Sequence, residues 1–200
     1  MSSVRDVLRR RDYAVIGQII EPRSKVLDLG CGDGTLLAWL MENKQCDGRG
    51  VEIDSTLVQQ AIARGASVYQ GDLLESLSDY PDGTFDYVIL SQTLQQVDHP
   101  RTVLREMLRV GRRMVVGFPN FGYWRIRLAF LFGGCAPKSR MFPFEWYESP
   151  NIHVLTVEDF ELLVHRENWS VERRIFLAGA HEVKSFGNLL AEVAVYVVTR

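Results

Sequence analysis

"DLGCGDG", residues Asp28–Gly34, continues an apolar run that begins at Val26 and sets three glycines, Gly30, Gly32 and Gly34, at alternate positions. A short apolar strand running into such a turn suits an open α/β sheet, whose ligands bind beyond the carboxyl ends of the strands, where the chain order reverses. Glycine at that edge permits positive φ and lets backbone N–H groups come close to an anionic group. The spacing is not that of the dinucleotide fingerprint G-x-G-x-x-G, whose third glycine, counted from Gly30, would fall on Thr35. Asp28 adds a carboxylate that a pyrophosphate would meet as a like charge in a partly desolvated pocket.

Outward from this loop the chain keeps alternating. "KVLDLG" reads as the first strand, and "GRGVEID", "SVYQGD", "FDYVILSQ" and "RMVVGFPN" as four more, bounded by turn signals such as "YPDGT". "TLLAWLMEN", "STLVQQAIARG" and "PRTVLREMLRVG" carry helical spacing, the second stopped at Gly65 and the third at Gly111. This order implies a parallel sheet with helices on both faces, joined by right-handed connections. "TVEDFELLVHREN" is a further helix, with Thr156 as cap and Asp159 three residues on. "WSVERRIFLAG" and "AEVAVYVVTR" then follow too closely for a helical crossover and are expected to pair antiparallel. The predicted fold is therefore α/β: a doubly wound, Rossmann-like, mostly parallel seven-stranded sheet with an antiparallel C-terminal strand. Residues 1–200 read as one domain, interrupted at 121–155 by an insert rich in aromatics, Pro and Gly.

With 200 residues, the chain can bury a core without disulfide or metal staples. A hydrophobic content of 46% and a charged content of 24% are those of a soluble globular protein. A net charge of -2 provides no basic field for general nucleic-acid binding, so no nucleic-acid partner is expected. Cys31, Cys46 and Cys135 are odd in number and far apart, which fits neither a disulfide framework nor a zinc cluster and points to a reducing compartment. "MSSVRDVLRRRDYAVIGQII" lacks the continuous apolar region of a signal peptide and reads as an amphipathic helix capped by Ser2 or Ser3. No apolar run approaches the roughly 20 residues that cross a bilayer. The expectation is a cytoplasmic protein with no membrane partner.

The glycine loop resembles motif I of the class I S-adenosylmethionine (SAM) dependent methyltransferases. That resemblance implies that Asp28 holds the methionine ammonium, directly or through water, while backbone N–H groups of the glycine loop, with Gly30, Cys31 and Gly32 among the cofactor-binding residues, take its carboxylate. Glu52, ending the second strand beside Ile53, is then placed to accept both ribose hydroxyls. Asp72 would receive the adenine amino group, and Leu73 would donate its N–H to the ring. Ser91 and Gln92 would floor the pocket near the sulfonium. The implied cofactor is SAM, with S-adenosylhomocysteine (SAH) as product or analogue, and no metal. Any one of these acids alone reads as a turn residue or helix cap, and Cys31 as a small side chain fitting beneath the loop. Three acidic elements at successive strand ends, in chain order, are what point to a site.

A more particular likeness lies in "FDYVILSQTLQQVDHP", "VLREMLRVGRRMVVGFPNFGYWRIRL" and "FEWYESPNIHVLTVEDFE", which resemble the MetW family of methionine-biosynthesis proteins. The resemblance runs from about Arg11 to Asn168 and implies association with a homoserine O-acyltransferase of the MetX type. It brings no methyl acceptor. Where many small-molecule methyltransferases place a histidine after the fourth strand, this chain has Gln96, a poor base. His99, Tyr123, Tyr147 and His153 are candidates for the pocket mouth, or else packing and turn residues. Phe121, Trp124, Leu128, Leu131 and Phe132 share one face of a short helix ended by Gly133 and Gly134. That face packs onto the sheet, covers an acceptor pocket, or docks a partner. A homo-oligomer is compatible with all three. Arg101, Arg105 and Arg109 read as a solvated stripe extended by Arg112 and Arg113, and His165 and His181 as surface residues. Two functions stay open: a SAM-binding support of the acyltransferase, and a methyltransferase acting on a small molecule.

Overall fold

The computed structural model describes residues 10–136, 138, 144–179 and 181–200. Helix α1 (Arg11–Ile19) precedes β1 (Lys25–Leu29), α2 (Thr35–Lys44), β2 (Asp47–Glu52), α3 (Ser55–Ala63) and β3 (Ser67–Gln70). Next come α4 (Leu73–Ser78), β4 (Phe85–Ser91), a 3-10 turn at Leu94–Gln96, α5 (Pro100–Val110) and β5 (Gly111–Pro119). The chain closes with α6 (Trp124–Gly133), α7 (Val157–Arg166), β6 (Ser170–Ala178), β7 (His181–Val183), α8 (Gly187–Leu190) and β8 (Val193–Thr199).

All eight strands form one sheet in the order β3-β2-β1-β4-β5-β8-β6-β7. The first five are parallel, β8 runs antiparallel to β5, and β6 pairs antiparallel with β8. The described sheet thus has eight strands rather than the expected seven. The extra one, β7, is a three-residue return of the chain on β6 after Gly179, which takes a φ of +54°. Two short helices were also invisible in the sequence, α4 and α8, with six and four residues. Of the expected N-terminal helix the structure describes Arg11–Ile19; the Ser2 or Ser3 cap lies outside the described residues.

The central strands β1, β4, β5 and β8 are buried along most of their length because both sheet faces are covered there. Alternate residues of one strand enter opposite cores. Leu27, Leu29, Val88, Leu90, Val116 and Phe118 pack with Leu104 and Met107 of α5 and Phe160 of α7. Val26, Ile89 and Val115 pack with Ile16 of α1 and with Leu36 and Leu40 of α2. The chain winds outward from β1 through β2 to β3, then crosses back to β4 on the other side of β1. The carboxyl ends of β1 and β4 therefore flank the switch point, where such sheets hold their ligands.

The arginine stripe is not simply solvated. Arg101 and Arg105 of α5 both reach Glu167, just past α7, with Nε–O distances of 2.6 and 2.7 Å. These hydrogen bonds, that of Arg105 foremost, hold the Glu167 carboxyl below the usual range. Arg109 bonds Glu106 and Asp82 as well as the carbonyls of Tyr80 and Leu77, and Arg112 and Arg113 pair with Asp86 and Glu172. The stripe is a seam of ion pairs between neighbouring elements. Helix α6 departs from its simplest reading too: only Ile126 is buried on it, and Leu131 and Phe132 are 72% and 80% exposed. Its apolar face does not pack onto the sheet.

Gly34 closes the glycine loop at a φ of +74°, and a Cβ there would lie 2.7 Å from the Cβ of Ala61 on α3. Gly34→Ala should therefore cost about 2–3 kcal/mol from backbone strain and crowding together. Thermal unfolding would show this as a midpoint drop on the order of 5–10 °C. Gly65→Ala, at φ +87° with open space around the new methyl group, carries the strain alone and should lose roughly half as much.

Candidate functional site

A cavity of ≈ 500 Å³ opens at the carboxyl ends of the parallel strands. Gly30 and Gly32 line it after β1, Glu52 and Ile53 at the end of β2, Asp72 and Leu73 after β3, and Ser91 and Gln92 at the end of β4. Eight of the ten residues expected at the site thus meet on one surface. Gly30, at φ +68°, has no room for a side chain, because a Cβ would sit 2.7 Å from Oγ1 of Thr93. A Cβ on Gly32, at φ +56°, would meet only open space. The first glycine closes the floor of the loop, and the second leaves backbone bare beside the cavity.

Glu52 is 8% exposed, and backbone donors fix its carboxylate. Oε2 accepts the N–H of Gly32 at 2.9 Å, while Oε1 accepts those of Ile53 and Asp54 at 2.8 and 3.0 Å. Three bonds from two loops aim one carboxylate at the cavity, and its oxygens keep lone pairs for a ligand. Asp72 has two structural tasks. Its Oδ1 caps α4 by accepting from Leu74 and Glu75, at 2.7 and 3.2 Å, while the side chain also lines the cavity. The helix-cap reading of this acid is thus met, and capping does not take it out of the cavity wall.

Asp28 and Cys31 are the two that do not line the cavity. Asp28 is 3% exposed; burial drives its carboxyl up to about 7, against the pull of Arg10 and with a smaller push from Glu52. Cys31 points beneath the loop, with Sγ 2.6 Å from where a Cβ on Gly50 of β2 would sit, so Gly50 is the glycine that makes room for it. Burial, reinforced by Asp28 and Glu52, pushes its thiol up, which removes it as a nucleophile.

The amides of the glycine loop are largely engaged within the chain. The N–H groups of Gly30 and Cys31 both donate to the carbonyl of Val51, at 2.8 and 3.1 Å. That of Gly32 is held by Glu52, that of Gly34 by the carbonyl of Cys31, and that of Thr35 by Asp33. These five amides have acceptors within the chain.

The family model described as "Methionine biosynthesis protein MetW" matches residues 10–198. The chain belongs to the MetW family. It is 36% identical over 180 residues to the bifunctional methionine biosynthesis protein MetXA/MetW of Rhodopirellula baltica, a match that takes in 86% of this chain and 29% of that one. The chain therefore spans under a third of this relative. Among solved structures it is similar to a SAM-dependent methyltransferase from Archaeoglobus fulgidus, with a TM-score of 0.71, 16% identity and coverage of 98% and 94% of the two chains. It is also similar to a magnesium protoporphyrin IX methyltransferase from Synechocystis, solved with bound SAH, with a TM-score of 0.66, 16% identity and coverage of 100% and 86%. At such identities these likenesses establish the fold, the class I methyltransferase arrangement, and leave the chemistry to the site.

Gln96 and His99, both considered from the sequence, line this MetW-family cavity with Val97 and Asp98 of the same segment after β4, whereas Arg10 and Tyr13, which reach it from the start of α1, were not anticipated. Ser91 donates to Asp12 of α1 at 3.1 Å, which ties that helix to the end of β4. Gln92 stands at φ +60°, and its Nε2 is buried without a partner among the described residues. Of the residues considered for the mouth, His99 lines the cavity. His153 is instead fixed to the wall, its Nε2 2.9 Å from the carbonyl of Val97. Tyr123 and Tyr147 make edge contacts with Trp124 and Trp146 and do not line the cavity. His165 and His181 are exposed, as expected. Among the described residues there is no cluster suited to a metal ion, and no helix long and apolar enough to cross a membrane.

Proposed function

We propose that this cavity binds SAM or SAH, and that the protein serves methionine biosynthesis by associating with a homoserine O-acyltransferase and making that enzyme responsive to the nucleoside. Glu52 carries the ligand assignment: a carboxylate fixed by three backbone N–H groups at the end of β2, inside the cavity, is a ready acceptor for two vicinal hydroxyls. The donor set fits the rest of such a ligand. Asp72 offers an acceptor to the adenine amino group, Leu73 and Leu74 offer apolar surface to the ring, and the acidic surroundings favour a cationic sulfur. When bound, SAM would supply an electrophilic methyl group.

The partner assignment rests on two observations. In the Rhodopirellula baltica relative, a MetXA portion and a MetW portion share one chain. In this chain α6 leaves Leu128, Phe130, Leu131 and Phe132 exposed, and large apolar patches of this kind mark sites of association. Co-expression should yield a complex with the acyltransferase that survives purification. Leu131→Asp with Phe132→Asp, both on exposed positions, should weaken it by at least about tenfold, since buried unpaired charge at an interface costs several kcal/mol. Full separation of the wild-type proteins, with acyltransferase activity unchanged, contradicts the partner assignment.

His99 favours a second reading. It lines the same cavity beside Asp98 and would serve as base for an acceptor that must lose a proton. Incubation with methyl-labelled SAM and cell extract separates the two: catalytic transfer of label supports turnover, and stoichiometric retention of the nucleoside supports regulation.

A further inference from the structure

The cavity wall after β4 is held from behind by a segment to which nucleoside binding assigns no task. Residues 149–156 form no helix or strand and run as a strap. The N–H groups of Ile152 and His153 both donate to the carbonyl of Gln95, at 2.9 and 3.0 Å, and Nε2 of His153 donates to the carbonyl of Val97 at 2.9 Å. Three bonds thus clasp the strap to the turn whose Gln92, Gln96 and Val97 line the cavity. Two residues beyond His153, the carbonyl of Leu155 accepts the N–H of Phe121, three residues before α6 begins. Asn120, fully buried, fixes that end: its Oδ1 accepts from Gly122 and Val157, and its Nδ2 donates to the carbonyls of Asn188 and Ala191. Cavity wall, strap and the root of α6 are therefore joined by one run of hydrogen bonds.

The turn itself is poorly satisfied. Gln92 stands at a φ of +60°, and its Nε2 and the Oε1 of Gln95 are both buried with no hydrogen-bond partner among the described residues. Strained backbone and unpaired buried polar atoms each raise the free energy of a local arrangement. A ligand against Gln92 can re-set such a turn, because it has to supply only the difference between two nearby arrangements. The outer side of the strap is apolar. Ile152 and Val154, the neighbours of His153, are exposed, as are Trp146 and Tyr147 ahead of them and Leu131 and Phe132 on α6.

We propose that the strap is the part of the partner surface that reads the cavity. A nucleoside against Gln92 settles the turn, the clasp at Gln95 and Val97 fixes the strap, and Ile152 and Val154 are thereby held in place for the acyltransferase, whose affinity rises. The proposal rests on the nucleoside and partner readings above, with the occupant that the fused relative carries in the same chain, and names the residues that link the two sites. The sign follows from ordering: a surface already fixed by one ligand costs less to fix for the second. Linkage makes the effect mutual, so the complex holds the nucleoside more tightly by the same factor.

Binding of the full chain to the homoserine O-acyltransferase, measured with and without saturating SAH, tests the proposal. SAH should tighten the wild-type complex by at least about fivefold, the low end of coupling between sites. His153→Ala removes the bond to Val97 and should cut that factor by about 2–10-fold, the range for one hydrogen bond lost. Its affinity for SAH alone, and for the acyltransferase without SAH, should each stay within about threefold of wild type. His153→Gln returns an N–H near the position of Nε2 and should restore most of the coupling. Thermal midpoints confirm that each variant is folded. Hydrogen exchange needs no variant: the amides of Ile152 and His153 in the wild-type chain should exchange more slowly, by at least about fivefold, when SAH is bound. Equal or weaker binding of the acyltransferase with SAH present, undiminished coupling in His153→Ala, or exchange at these two amides indifferent to SAH overturns the strap as the link, while nucleoside binding and complex formation stand. If the wild-type chain binds no SAH, or forms no complex, the function proposed above falls and takes this proposal with it.

Discussion

Glu52→Ala abolishes the thermal stabilisation that SAH confers on the wild-type protein. Ligand at a hundred times its dissociation constant adds about 2.7 kcal/mol to the folded state. For a chain of this size that is a rise on the order of 5–10 °C. In the proposed complex the Glu52 carboxylate accepts two ribose hydroxyls, each a charge-assisted bond worth about 1.5–3 kcal/mol. Their loss weakens binding by about two to four orders of magnitude, enough to remove the shift at the same ligand concentration. The substitution also strips an acceptor from Gly32, Ile53 and Asp54, whose N–H groups all point to this carboxylate. The unliganded midpoint should therefore drop as well, because buried unsatisfied donors cost about 1–3 kcal/mol each. Each shift is accordingly measured against the same variant without ligand. Glu52→Gln retains one carbonyl acceptor and the side-chain shape, so it should lose less stability and keep only a fraction of the ligand shift. A full shift in Glu52→Ala would contradict the role given to this residue.

The frame of this site was legible in the sequence because it is local. Each parallel strand is a segment of four to nine residues that runs into a turn, an acid or a polar residue, and in such a sheet the carboxyl ends of the central strands meet at one edge. Glu52 and Asp72 could be placed from that rule alone. Arg10 and Asp12 could not, since their link to the site is a tertiary contact between Asp12 and Ser91, 79 residues apart. One trace of it was present: Asp12 lies among buried Tyr13 and Ile16 on α1, an acid on the apolar side of an amphipathic helix. Such a residue calls for a partner.

The arginine stripe is largely exposed, as expected, but its partners were hidden in the same way, because Glu167, which binds Arg101 and Arg105, is more than sixty residues away in sequence. The three readings of helix α6 stayed open for a different reason. Its apolar spacing specifies a face and not the direction in which the face points, and Leu131 and Phe132 face outward. Elements as short as α4 and β7 span too few residues for any periodicity to show.

Asp28→Asn should make the unliganded protein more stable at pH 8 and, at the same time, a poorer binder of amine-bearing nucleosides. Burial raises the Asp28 carboxyl from 3.8 to about 7. A folded value above the unfolded one means that folding favours the protonated form, so stability falls as pH rises from about 4 to about 7 and stays low above that. At about 1.4 kcal/mol per pK unit, the ionised carboxylate costs the unliganded fold on the order of 4 kcal/mol. Asparagine has nearly the same shape and no charge. The variant should gain most of that amount at pH 8 and progressively less as the pH falls toward 4. The charged and titratable groups that act on Asp28 are Arg10 and Tyr13 from α1, Cys31 from the loop and Glu52 from β2. In the proposed complex a ligand ammonium near Asp28, which lies behind the cavity lining, would offset the cost of the charge, so binding should release a proton below pH 7, and affinity should weaken by up to about tenfold per pH unit there. Titrations in buffers of different ionisation enthalpy count that proton directly. In Asp28→Asn the release should vanish. Proton release that persists in Asp28→Asn, or a variant no more stable than wild type at pH 8, would show that Asp28 is not the carboxyl that the ligand amine neutralises.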